Sequence, residues 1–338
     1  IAAVAVGVGA VGTWAVLRSP DAARASLRLS MALGPNQQLA TWDNSTIAFS
    51  PDGASIVTPI VDDGRQVLAS RRLDEPDFRT IEGTEGGAAP FFSPDGGSLG
   101  FIANGKLVKV ATGGGRPFVL GDQQGAGGAS WGPDGRIVYA PIYSEGLFRI
   151  SEQGGAPQRL TAPDRDRGEL GHWWPQHLPG GDHVLYTAFC TPVDSSRVGV
   201  VSLSTGEVRD VVDGGFYGRY VRSGHLLYVK GDRLYAAPFD VGRATVTGSA
   251  VAVLDDVFGS HTGGGTLAYS PRSVVEAPRE LVWVDRQGLA RPAMDDRLRF
   301  NGAVVSPDDG RRLTPVRCVS QDLWTYSLER GTLSRLTS

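Results

Sequence analysis

The first seventeen residues, IAAVAVGVGAVGTWAVL, form an apolar run that Arg18-Ser19-Pro20-Asp21 ends abruptly. About 17 apolar residues is the short end of a membrane-spanning helix. The run 1–17 therefore predicts a transmembrane helix, read as N-terminally truncated because the chain does not open on Met. Small residues at four-residue spacing, Ala3 with Gly7 and Ala5 with Gly9, would let two such helices pair as a homodimer. Beyond the run the pattern changes to short apolar segments split by turn formers, such as Arg136-Ile137-Val138-Tyr139-Ala140, Gly146-Leu147-Phe148-Arg149-Ile150 and Ala156-Pro157-Gln158-Arg159-Leu160. Such segments read as strands.

One phrase keeps returning, an apolar strand followed by a Pro-Asp-Gly corner. Clear copies stand at Pro51-Asp52-Gly53, Pro94-Asp95-Gly96, Pro133-Asp134-Gly135 and Pro307-Asp308-Asp309-Gly310. Proline presets φ, aspartate bonds nearby backbone N–H groups and glycine accepts positive φ, so these are structural turns. Weaker copies at Leu178-Pro179-Gly180-Gly181, Arg222-Ser223-Gly224 and Gly263-Gly264-Gly265 bring the corners to seven. A spacing of roughly 40 to 45 residues is that of propeller blades. The expected fold is all-β, a β-propeller of about seven four-stranded blades over residues 46–338. Residues 18–45 are expected to be a linker whose strand Ala25–Met31 closes the ring against the last blade. A lone four-stranded sheet cannot cover both its faces, whereas radially packed sheets cover one another.

Composition narrows the picture. The 338 residues are 41% hydrophobic and 20% charged, with 46 Gly and 21 Pro, too apolar for disorder and too rich in turn formers for a helical bundle. A net charge of −3 offers no basic field, so a nucleic-acid partner is not expected. Cys190 and Cys318 are too few for a disulfide framework or a cysteine metal site, and both read as unpaired packing residues.

Several motifs dissolve in context. Gly7-Val8-Gly9-Ala10-Val11-Gly12 fits a dinucleotide fingerprint but lies inside the apolar run, where no strand precedes it. Gly128-Ala129-Ser130-Trp131-Gly132 fits the nucleophile elbow, which needs a strand feeding a helix, yet it runs into a β-corner. No catalytic residue is therefore assigned. His172, His177 and His183 match no compact metal motif, and no metal is expected. Asn44-Ser45-Thr46 is a glycosylation sequon, silent in a bacterial protein. The strands opening blades four and five carry His172, Trp173, Trp174, Phe216, Tyr217, Arg219 and Tyr220, which could line the mouth of a central channel and bind a ligand. The bland reading is that these aromatics pack between blades.

The Ser-Pro-Asp-Gly corners resemble the WD40-like (PD40) repeats of the TolB-like propellers. Ser223-Gly224-His225-Leu226-Leu227-Tyr228-Val229, Leu234-Tyr235-Ala236-Ala237-Pro238-Phe239-Asp240 and Leu281-Val282-Trp283-Val284-Asp285-Arg286-Gln287-Gly288 resemble the extracytoplasmic propeller of bacterial membrane-bound serine/threonine protein kinases. That resemblance implies a cytoplasmic kinase domain, one membrane helix and then the propeller. It places the chain in the bacterial cell membrane, single-pass, with the propeller periplasmic or extracellular as a sensor for an unknown protein or small-molecule ligand. No kinase motif occurs in the chain, so no cofactor is expected in it; ATP and Mg would belong to an upstream kinase domain. Two alternatives remain open, a TolB-like periplasmic protein-binding scaffold and the propeller of a prolyl-oligopeptidase-like peptidase.

Overall fold

The computed structural model describes residues 33–34, 37–40, 47–125 and 127–263, and after these the segments 266–271, 282–284, 287, 289–293, 300–305, 312–317, 324–327, 330 and 332–335. The apolar run 1–17, the strand Ala25–Met31, the sequon at Asn44, Cys318 and the corner Pro307, Asp308, Gly310 lie outside the described residues. Among the described residues no helix is long and apolar enough to cross a membrane.

Each corner turns the chain from an inner strand into the next, and two more antiparallel strands follow outward. Blade 2 runs Ala88–Phe92, Ser98–Ala103, Lys106–Ala111 and Phe118–Asp122, paired in that order. Blade 3 repeats this with Ala129–Trp131, Arg136–Tyr139, Phe148–Ser151 and Gln158–Arg159, and blade 4 with Glu169–His177, His183–Cys190, Arg197–Ser202 and Val208–Asp213. In blade 1 the inner edge is broken into Gln37–Leu39 and Ala48–Phe49, both paired with Ser55–Asp62, ahead of Arg65–Arg72 and Arg79–Thr80. Blade 5 comprises Phe216–Val221, His225–Lys230 and Arg233–Asp240, the last carrying both Thr245–Val246 and Val251–Leu254 on its outer edge.

The blades are held by apolar layers between neighbouring sheets. Val57 and Leu68 of blade 1 meet Leu99, Phe101 and Val108 of blade 2. Phe91, Leu107 and Leu120 of blade 2 meet Trp131, Ile137 and Tyr139 of blade 3. Val138 and Leu147 of blade 3 meet Val184, Tyr186 and Val201 of blade 4, and Leu185, Val198 and Val200 of blade 4 meet Leu226, Tyr228 and Phe239 of blade 5. Middle strands buried on both faces need continuous apolar runs, which is why Ser55–Asp62 and Arg197–Ser202 read without alternation.

The structure corrects the blade count: among the described residues five blades follow one another, not seven. After blade 5 come the hairpins Val257–Gly263 with Thr266–Pro271 and Val282–Val284 with Ala290–Pro292, then a four-stranded sheet from Phe300 to Arg335. Val257–Gly263 packs against the inner strands of both blade 5 and blade 1, so a two-stranded hairpin stands where a further full sheet was expected. On the corner face Arg222 reaches Pro51 O at 2.9 Å, tying blade 5 to blade 1. The error has a physical cause. A corner marks a hairpin, and Val257–Gly263 does pair with Thr266–Pro271, but Val282–Val284 and Ala290–Pro292 pair with each other instead of extending that pair.

The serine of the corner phrase has a structural task. Ser93 Oγ donates to Asp95 Oδ1 at 2.6 Å and accepts the Ser98 N–H at 2.9 Å, while Asp95 Oδ1 accepts the Gly97 N–H at 3.0 Å. Ser50 and Asp52 repeat the arrangement with Ser55 and Ala54. These bonds hold the Asp52 and Asp95 carboxyls below the ordinary carboxylate range, the serine hydroxyl being the largest cause in each. Ser93→Ala removes a buried hydroxyl with both partners, and is expected to destabilise the chain by about 1 kcal/mol. A lower urea midpoint at unchanged slope is the check.

Candidate functional site

The inner strands share a backbone device. Five residues before the corner, Ala89, Trp174 and Tyr217 adopt left-handed φ values of 46°, 55° and 58°, and Gly128 occupies the same place in blade 3 at 87°. In blades 2, 4 and 5 the register slips there. Such a bulge re-aims the residues that follow. Three residues before the corner, Ala48, Phe91, Ser130, Gln176 and Arg219 then stand one per blade, all lining a cavity of about 240 Å³ on the corner side of the ring. Phe49, Pro51, Phe92, Pro94, Trp131 and Pro175 are among the remaining lining residues.

The polar wall groups are largely tied to the next blade. Ser130 Oγ accepts the His177 N–H at 3.0 Å and lies 3.0 Å from His177 Nδ1. Gln176 Oε1 accepts the Tyr220 N–H at 2.7 Å, and its Nε2 donates to Tyr220 O at 3.2 Å. Burial pushes the His177 pKa down to about 4 against the opposing pull of Asp134, so the ring is neutral at pH 7. A serine beside a neutral imidazole is half of a hydrolytic arrangement. Here the serine oxygen is already bonded to a main-chain N–H, and His177 Nε2 has no hydrogen-bond partner among the described residues to orient it. The pair acts as a tie between blades 3 and 4.

Arg219 is different. Its Nη1 donates to Trp174 O at 2.7 Å and Gly218 O at 3.1 Å, and its guanidinium lies 4.7 Å from the centre of the Tyr217 ring. Burial pushes its pKa down, with Tyr217 working the other way. Among the described residues no carboxylate pairs with it.

The other expected ligand residues are not among those lining this cavity. Trp174, Phe216 and Tyr217 are buried together with Val229, Leu234 and Val257. Trp173 stacks on Phe189 at 3.9 Å and donates Nε1–H to Tyr143 O at 2.8 Å. Tyr220 packs against Phe239. His172 lies between blades 3 and 4, its Nδ1 2.6 Å from Thr161 Oγ1 and its Nε2 2.9 Å from Glu169 Oε2. The Glu169 carboxylate can only accept, so Nε2 carries a proton and donates to it. Glu169 also accepts Arg197 Nη2 at 2.5 Å and the Asp164 N–H at 2.7 Å. Burial alone would raise the Glu169 pKa, but the bonds from His172, Asp164 N–H and Arg197 outweigh it and bring it to about 2.

The three histidines are thus parted, His172 to Thr161 and Glu169, His177 to Ser130, and His183 to Asp182 at 3.9 Å. Among the described residues no three His, Cys, Asp or Glu side chains are placed to hold a metal. Cys190 is buried without a disulfide. Sequence reading missed Ala48, Phe91, Ser130 and Gln176 as cavity residues, although their constant offset from the corners is a signal that could have found them.

No family model matches the sequence, and no curated protein matches it. The chain is similar in fold to a putative TolB from Agrobacterium tumefaciens, at 17% identity and a TM-score of 0.48, over 62% of this chain and 80% of that one. TolB from Acinetobacter baumannii is similar at 18% identity and a TM-score of 0.47, over 58% of this chain and 51% of that one. An oligogalacturonate lyase in complex with manganese is similar at 13% identity and a TM-score of 0.42, over 87% and 76%. These likenesses are of fold alone.

Proposed function

Starting from a TolB-like β-propeller whose inner strands line an open cavity, we propose that the chain is a binding domain, the extracytoplasmic sensor of a receptor-like bacterial serine/threonine protein kinase. The observation that carries the binding role is the cavity itself, to which each of five blades sends one different side chain from one register position. Identical inner strands would give a merely structural pore, whereas five unlike residues on a rigid frame give a shaped and chemically asymmetric surface. Support for the kinase link is the order of an apolar run followed by a propeller, together with the phrases at 223–229, 234–240 and 281–288. In this reading the run 1–17 anchors the chain in the bacterial membrane, the propeller lies outside the cytoplasm, and ATP and Mg serve an upstream kinase domain.

The reading frame upstream of Ile1 tests the kinase link. A glycine-rich loop, a lysine-bearing strand, a catalytic-aspartate loop and a metal-binding aspartate are expected there in that order. A short basic segment opening a signal sequence in their place would overturn the link and favour a TolB-like periplasmic protein-binding scaffold. A hydrolase domain following Ser338, with no kinase upstream, would favour the peptidase alternative.

A further inference from the structure

Resting on that binding role, we propose that the cavity on the corner side of the ring takes a ligand bearing one carboxylate, with Arg219 as the group that pairs with the carboxylate. Three observations converge on it. The first is charge: among the described residues lining the cavity Arg219 is the only cation, and no carboxylate of the described residues pairs with it. A half-buried guanidinium without a counter-charge among the described residues is costly, and a ligand anion supplies one. The second is fixation. Bonds from Nη1 to two carbonyl oxygens and the Tyr217 ring beneath hold the head against the wall before any ligand arrives, so little side-chain freedom is lost on pairing.

The third observation is what surrounds the charge. The hydroxyl of Ser130 and both ends of the Gln176 amide are bonded to the backbone of the following blade, and Ser93 is bonded within its corner. The other lining residues are aromatic, aliphatic or proline. One guanidinium answers one carboxylate, and no second cation among the described lining residues would answer the further charge of a dianionic phosphate. A volume of about 240 Å³ is below the 300–1,000 Å³ of typical small-molecule pockets and suits a side chain or a small acid. Two sources share this chemistry, a free aromatic acid and the C-terminal carboxylate of a peptide ending in an apolar residue.

Calorimetric titration of the full 338-residue chain decides it. The probes are 3-phenylpropionate, its neutral amide, and an apolar tripeptide with a free or an amidated C terminus. Either acid is expected to bind at least tenfold more tightly than its own amide, and which of the two acids does so identifies the source. Arg219→Gln is expected to abolish that preference and Arg219→Lys to keep part of it, with an unchanged melting temperature showing that each variant folds. Equal binding of acid and amide would overturn the anion claim while leaving the cavity a binding place. A preference that survives intact in Arg219→Gln would overturn the role of Arg219. Binding of no probe would overturn the proposal together with the reading of this cavity as the binding place, and leave the kinase link to the upstream sequence.

Discussion

Glu169→Ala is expected to cost the fold about 3–5 kcal/mol, because it leaves Arg197 buried without its closest carboxylate and His172 without its acceptor. Glu169 and His172 belong to the first strand of blade 4 and Arg197 to its third, and Thr161 extends the network toward blade 3, so the loss falls on a blade interface. Acid should reproduce part of it. The Glu169 pKa is depressed in the folded chain from 4.5 to about 2. Its contribution is therefore present in full above about pH 4.5 and is lost as pH falls through the window down to about 2. A shift of that size corresponds to about 3 kcal/mol. Urea unfolding of the parent and the variant at pH 7 and pH 3 separates this from other carboxylates, since the difference between them should shrink at the lower pH. A difference that stays constant would place the acid sensitivity elsewhere.

Trp174→Ala should be about as damaging, at about 3–5 kcal/mol, since the indole is buried against Phe189, Phe216 and Tyr217. A second variant reveals the backbone contribution. Glycine in a strand is normally worse than alanine by about 0.5–1 kcal/mol. At position 174 φ is +55°, a conformation that disfavours any Cβ, so Trp174→Gly is expected to equal or exceed Trp174→Ala in stability. The normal order, found by denaturant unfolding, would show that the left-handed turn relaxes once the indole is gone.

What could be read from sequence divides along range. The corners were legible because their chemistry is local: Ser93, Asp95 and Gly96 do their work within a few residues of one another. The blade number was not, because whether Val282–Val284 joins a preceding hairpin depends on pairing choices that no single turn encodes. The site was half visible. Arg219 stood out among the aromatics of blade 5, but its partner carbonyl belongs to Trp174, 45 residues earlier. The Ser130 to His177 tie spans 47 residues, and the Glu169 to Arg197 pair 28. No periodicity relates such positions until the blades are stacked. The left-handed residues were hidden for another reason. Trp174 and Tyr217 are poor candidates for positive φ on their own, and only packing imposes it.

The hairpin at Val257–Gly263, lodged between the inner strands of blades 1 and 5, gives the ring an order of assembly. Blades 2, 3 and 4 consist of antiparallel strands paired in chain order, so their contacts are local to their own stretches of chain. The seam is not local. Its contacts join residues at opposite ends of the ring, as the Arg222 to Pro51 bond does across 171 positions. Loop-closure entropy makes such contacts costly until the intervening chain is already compact. The cavity draws lining residues from blade 1 and from blade 5, so it exists only when the two ends of this run of blades are brought together.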